Sequence, residues 1–261
     1  MAPLLRRQDA PFLRLRQVCL VAADLDREAA LVKFELGLEE CHRDANVAKY
    51  GLANILFPVG TSFIEIVSPT RQGTAAGRFL ERNGGRYGYM VILDCDDPAK
   101  WQAHAESLGV RVANVIRHGD YFGVQLHPKD TGAAMLEFNS TVGGRDAMGP
   151  YAPAGPKWQA AIREQVTRRL LSVEIECPDA GRLASRWGAL LQRPVQNLGA
   201  GRFRLPLDTG AIDFLPGSAP EAVFAGIELE GAQVRDSAIN LCGVRFVLRA
   251  AGTVGTACAS R

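Results

Sequence analysis

Short apolar runs alternate along this chain with capped helical stretches, and the same order comes back. Residues 17–23 form an apolar run rich in strand formers, and Asp24-Leu25-Asp26 leads from it into a helical stretch over 27–36. Asp24 or Asp26 is placed to cap that helix and Gly37 to end it. Apolar-biased runs over 47–57 and 62–67 follow as strands, parted by Pro58-Val-Gly-Thr61 and closed by Ser68-Pro69. The order is β-α-β-β.

The order returns from Tyr89. A strand over 89–95 passes through Asp96-Asp97-Pro98 into a helix over 99–108, with Pro98 at its first turn and Gly109 past its last. Strands are predicted over 110–115, 122–126 and 133–138. Between 139 and 156 the residues Gly143, Gly144, Gly149, Pro150, Pro153, Gly155 and Pro156 break every period and mark a linker, and 158–171 is predicted as a connecting helix. A third unit has a strand over 173–177, a helix reaching Leu191, and strands over 203–205 and 211–215. A fourth is shortened to strands over 225–229 and 244–248 without a strong helix between them. Self-similarity over this length points to a duplicated α+β unit.

Composition agrees with a folded, globular chain. Of 261 residues 47% are hydrophobic and 22% charged, enough for a real core in one large domain or two ordinary ones. A net charge of +2 supplies no field for nucleic acid or an anionic membrane, so a small molecule is the expected partner. The basic stretch Arg6, Arg7, Arg14, Arg16 is interrupted by Asp9 and Pro11 and reads as a solvated arm. Cys19, Cys41, Cys95, Cys177, Cys242 and Cys258 lack the close spacing of zinc sites or redox dithiols; three fall in apolar strands, as buried thiols of a reducing compartment do. Neither an h-region nor a membrane-length apolar run is present, and the cytoplasm is the expected location.

Several segments together resemble a known group. Asp24-Leu25 after an apolar strand, Leu36-Gly37-Leu38, Phe63-Ile-Glu-Ile-Val-Ser-Pro69, Gly77-Arg-Phe-Leu80, His127-Pro-Lys-Asp-Thr-Gly132 and Met135-Leu-Glu-Phe138 are similar to methylmalonyl-CoA epimerase-like proteins of the vicinal oxygen chelate superfamily, which also holds the glyoxalases, the bleomycin resistance proteins and extradiol dioxygenases. The resemblance covers residues 13–140 well and the remainder loosely. It implies an α+β fold of repeated βαβββ modules, paired to form curved mixed sheets around a cavity. The expected layout is an N-terminal arm (1–12), a site-bearing pair of modules (13–140), a linker with connecting helix (141–168), a degenerate second half (169–250) and a tail (251–261).

Carried over by position, the resemblance puts the superfamily's four metal ligands on Gln17, Glu65, Met90 and Glu137. Three are hard oxygen donors suited to magnesium, manganese or calcium, whereas the thioether of Met90 is a poor partner for such ions. The metal set is therefore Gln17, Glu65 and Glu137, with a divalent cation as one option and no metal as the other; no nucleotide cofactor is expected. The epimerase-like base position falls on Lys49, which suggests different chemistry or an anion-binding role. Tyr87, Tyr89 and Met90 are expected to line the substrate pocket, and Glu65 and Glu137 to be the proton-moving groups. His127 reads as a turn-stabilising residue, His118 as part of a loop that could close over the cavity or stay solvated. In the second half Ser172 and Asp213 match the first two ligand positions, with no carboxylate in the last strand.

Two functions follow. One is a lyase or isomerase acting by proton transfer on a small carbonyl or acyl-thioester metabolite, with or without a divalent metal. The other is a metal-free small-molecule binding or sequestering protein of the same fold. The partners expected are a small-molecule substrate and, as an open option, a second copy in a homodimer, without nucleic acid or membrane. An extradiol dioxygenase needs two histidines and a carboxylate on iron, and Gln17 and Met90 hold the histidine places.

Overall fold

The protein is described by a computed structural model over residues 11–84, 88–233 and 238–250. Its centre is β1 (Leu13–Val21), buried along all nine residues because it has a neighbour on each edge and cover on each face. Leu13, Leu15, Val18 and Leu20 enter the main core. A register shift between Leu15 and Gln17 in the ladder with the next module puts the alternation out of step there. Arg16 and Gln17 consequently both reach the same ring, that of Tyr151.

Helix α1 (Leu25–Leu36) follows because Asp24 accepts from the Arg27 N–H at 3.1 Å, and it stops where Gly37 turns left-handed at φ 63°. Then come β2 (Leu52–Val59), β3 (Ser62–Pro69), α2 (Ala75–Arg82), β4 (Gly88–Cys95), α3 (Pro98–Ser107), β5 (Val112–His118), β6 (Tyr121–Leu126), the short α4 (Pro128–Thr131) and β7 (Met135–Thr141). After the linker lie β8 (Thr167–Cys177), α5 (Ala180–Leu191), β9 (Gln196–Gly199), β10 (Arg202–Pro206), β11 (Ala211–Pro216), β12 (Val223–Gly231), β13 (Ile239–Leu241) and β14 (Val244–Arg249).

The strands order as 2-3-1-4-7-6-5 and 9-10-11-8-12-14-13, two seven-stranded mixed sheets of one plan. Each module's first strand runs parallel to its last (β1 with β3, β4 with β7, β8 with β11, β12 with β14), and the first strands of paired modules, β1 with β4 and β8 with β12, run antiparallel. A single paired position, Gly88 with Phe224, joins the two sheets. One continuous core draws on both sheets and on the buried sides of α1, α3 and α5. Side chains and loops tie the halves further: Trp187 of α5 donates to the Thr131 carbonyl at 2.8 Å, Glu28 of α1 accepts from the Cys242 N–H at 2.9 Å, and Leu15 N–H donates to the Thr209 carbonyl at 2.9 Å.

The α+β repeat is as the sequence implies, and four details differ. The connecting helix expected over 158–171 is absent: one 3₁₀ turn spans Trp158–Ala161, and β8 starts at Thr167 because its residues have β12 and β11 to pair with. The strand expected from residue 47 begins at Leu52, after a 3₁₀ turn over Ala45–Tyr50 that Asp44 caps. Helix α2, capped by Thr74 onto Gly77 N, and the four-residue strand β9 were not anticipated from the sequence. The fourth unit has no helix among its described residues, in line with its shortened pattern.

Candidate small-molecule site

The sheet face opposite α1 and α3 carries the carried-over positions. In register, Gln17 lies beside Phe63 and Cys19 beside Glu65, while Met90 faces Cys19 and Ile92 pairs with Glu137. Gln17, Glu65 and Glu137 are brought together in one hydrogen-bonded chain. Glu65 accepts from Gln17 Nε2 at 2.8 Å and from Asn54 Nδ2 at 2.7 Å. Glu137 accepts from the Tyr121 hydroxyl, from Gln125 Nε2 at 2.7 Å and from Asn139 Nδ2 at 3.3 Å. Tyr151 of the linker closes the chain: its hydroxyl donates to Gln17 Oε1 at 2.8 Å and accepts from Asn139 Nδ2 at 3.3 Å. All four carboxylate oxygens are thus engaged, each by a neutral donor.

Burial dominates the electrostatics. Glu137 is 2% exposed and Glu65 9%, and loss of water pushes both carboxyls above their ordinary range, against the pull of their hydrogen-bond donors. The same desolvation raises the Tyr121, Tyr151 and Cys19 hydroxyl and thiol groups well above theirs. Each carboxyl here is better suited to holding a proton at mild pH than a solvated one.

Met90 lies in an apolar cluster with Cys19, Val21, Val67, Ala76 and Ile92, covered by Phe79 and Leu80 of α2. Tyr89 meets Phe79 edge-on at 4.9 Å, and burial lifts its hydroxyl to about 12. Lys49 is not brought to this network: it is exposed in the 3₁₀ turn, its ammonium 5.0 Å from the Tyr50 ring. Tyr87 lies outside the described residues. His127 caps α4 through Nδ1, His118 is exposed, and Lys129 is exposed in the same turn as His127.

At the other end of the face the linker itself fills the space. Tyr151 stacks on Phe63 at 4.8 Å and 15°, and Trp158 meets Phe63 edge-on at 4.9 Å. Both are about 2% exposed or less. Arg16 lies among these rings, its Cζ 4.8 Å from the Tyr151 centroid, 5.2 Å from Phe63 and 5.6 Å from Trp158. Sequence reasoning missed Arg16, Asn54, Tyr121, Gln125, Asn139 and Tyr151. No motif marks them, since each becomes a neighbour only through strand register or the path of the linker.

The second sheet repeats the geometry with other chemistry. Asp213 pairs with Glu174 as Glu65 does with Cys19, and Val247 stands beside Glu228 where Glu137 stands beside Ile92. The missing last-strand carboxylate is therefore a valine. Asp213 takes Nε and Nη2 of Arg204 at 2.7 Å each, Glu174 pairs with Arg245, and Glu228 with Arg249 at 2.8 Å.

No family model matches the chain, and no curated protein matches it. Among solved structures, a hypothetical protein from Staphylococcus aureus superposes with a TM-score of 0.69 at 14% identity, over 91% of this chain and 99% of that one. That match runs through both sheets. The fold of two paired seven-stranded sheets is thus shared with that protein. Methylmalonyl-CoA epimerases are similar over half of this chain: that of Streptomyces coelicolor, in complex with 2-nitronate-propionyl-CoA, at 23% identity, TM-score 0.46 and 98% of its own chain, and that of Mycobacterium tuberculosis at 23%, 0.43 and 87%. Among the described residues no helix is long and apolar enough to cross a membrane, and no group of three His, Cys, Asp or Glu side chains is placed to hold a metal.

Proposed function

We propose that this chain binds a small organic molecule in its N-terminal sheet without a divalent metal, using amide and phenol groups arranged around Glu65 and Glu137. The observation that carries this reading is the hydrogen-bonded chain from Asn54 through Glu65, Gln17, Tyr151, Asn139 and Glu137 to Tyr121. A metal centre here would need the oxygens of Gln17, Glu65 and Glu137 turned to one shared point. Here each carboxylate is enclosed by its own neutral donors, and the fourth position is a thioether in an apolar cluster. With every carboxylate oxygen already taken by a neutral donor, that arrangement does not fit a hard divalent cation. Titration with magnesium, manganese and zinc, followed by calorimetry, tests this; no saturable binding below the millimolar range is expected, and a single tight site abolished by Glu65→Gln would overturn it.

A second reading, a lyase or isomerase acting on a small carbonyl or acyl-thioester compound, is favoured by the desolvated carboxyls. A raised carboxyl beside a bound carbonyl compound can hand over or take up a proton more readily than a solvated one. Glu65 and Glu137 would be the two groups, one on each side of the ligand. Deuterium incorporation from solvent at the carbon next to the carbonyl, lost in Glu137→Gln, is the measurement that separates this enzyme from a binding protein.

A further inference from the structure

The linker between the sheets behaves as an internal occupant of the site. It enters from a pinned start: Arg14 holds the Gly144 and Arg145 carbonyls at 2.9 Å each and pairs with Asp94. Beyond that point it is Gly- and Pro-rich, with Gly143 and Gly155 at positive φ, and its only helical pieces are two short 3₁₀ turns over Ala152–Ala154 and Trp158–Ala161. What it inserts is an aromatic ring, stacked on Phe63, whose hydroxyl is clasped between Gln17 and Asn139.

That fit is incomplete in one respect. Among the described residues five buried side-chain polar atoms have no hydrogen-bond partner, and three of them touch the linker's seat: Nε and Nη2 of Arg16 and Oδ1 of Asn139. Arg16 is 1% exposed; its Nη1 donates to the Thr61 carbonyl, its nearest carboxylate oxygen, on Asp94, is 3.9 Å from Nε, and the rest of the guanidinium faces rings. Ring faces offset part of the cost of a buried cation but do not replace an in-plane acceptor. A guanidinium edge with two parallel unfilled N–H groups is the shape that a carboxylate fills.

We propose that residues 142–162 are a displaceable strap, and that the ligand exchanging with Tyr151 is an aromatic carboxylic acid bearing a ring hydroxyl. Its ring takes the stack on Phe63, its hydroxyl the place between Gln17 and Asn139, and its carboxylate the free edge of Arg16. This rests on the small-molecule reading above and names the ligand class for the same site. Displacement needs only the strap's non-covalent contacts to yield, since both ends remain tethered to β7 and β8.

The test uses the full chain and three probes: 4-hydroxyphenylacetate, its uncharged counterpart p-cresol, and phenylacetate, which lacks the hydroxyl. Tyr151→Gly vacates the seat and removes the competitor, so 4-hydroxyphenylacetate is expected to bind it at least tenfold more tightly than it binds the parent chain, and tenfold more tightly than either other probe does. Adding Arg16→Met should make 4-hydroxyphenylacetate and p-cresol equal. In the parent chain, saturating 4-hydroxyphenylacetate should speed amide exchange over 148–160 at least tenfold and leave β1 unchanged. If Tyr151→Gly does not fold, Trp158→Ala loosens the strap without touching the polar chain and carries the same expectation. Equal binding of acid and cresol with Arg16 present, no binding of any probe, or an unchanged strap would overturn the proposal. Metal binding in the titration above would instead overturn the metal-free reading, so the two failures are distinct.

Discussion

Tyr151 joins two carboxyl environments that β1, β3 and β7 bring near each other but do not connect. Removing its hydroxyl in Tyr151→Phe leaves Gln17 Oε1 without its 2.8 Å donor in a buried place. A loss of about 1–3 kcal/mol is expected, from the desolvation of an unmatched acceptor. Urea denaturation would register it as a lower midpoint at constant slope; an unchanged midpoint would mean that the strap is not seated in solution. At this scale Gln17, Glu65, Met90 and Glu137 came from the family resemblance alone; the fold sets the first, second and fourth in one hydrogen-bonded chain and Met90 in an apolar cluster. Arg16 was not legible: a shift of register in β1 turns it to the site, and simple alternation would send it to the other side.

Among the elements, α1 shows local chemistry deciding structure, and Asp24→Ala should cost about 1 kcal/mol by taking the acceptor from the Arg27 N–H. A thermal melt reads it, and a shift as large as that of a core deletion would contradict a purely local role. Strand β4 shows the opposite. At Gly88 a Cβ would come within 2.5–2.7 Å of Phe224, at the one position where the sheets pair. Gly88→Val is therefore expected to cost about 1–3 kcal/mol as overpacking, with the loss showing as earlier thermal unfolding. The sequence shows a glycine before an apolar strand; it does not show that a phenylalanine over a hundred residues later rests on it. The false helix over 158–171 has the same origin. Charged residues such as Arg168 and Arg169 suit an exposed helix as well as the exposed positions of β8, and only pairing with β12 and β11 decides between them.

For the whole molecule, buried carboxyls set the response to pH. Glu65, Glu137 and Asp94 all have folded-state values raised above the ordinary carboxyl value, chiefly by desolvation. The folded state therefore binds more protons than the unfolded one between those two values, so stability falls as pH climbs through that window. The contribution is fully present at and below the ordinary carboxyl value and is lost above the raised one. Melting temperatures should decline as pH climbs from the ordinary carboxyl value, and Glu137→Gln, which cannot ionise, should flatten the slope. A stability that rises over this range in the parent chain would show the carboxyls to be held ionised by their donors.

By itself the sequence determined the repeat, the stop of α1 and a choice of two caps for it. These depend on neighbours a few residues apart and on the period of apolar positions, both of which are written locally. Tertiary structure decided the rest: which strands join the sheets, what satisfies Glu65 and Glu137, and that the linker lays an aromatic ring beside Arg16. Each of those is a contact between residues far apart in the chain, and its energy comes from excluding water between surfaces that only the assembled fold brings together.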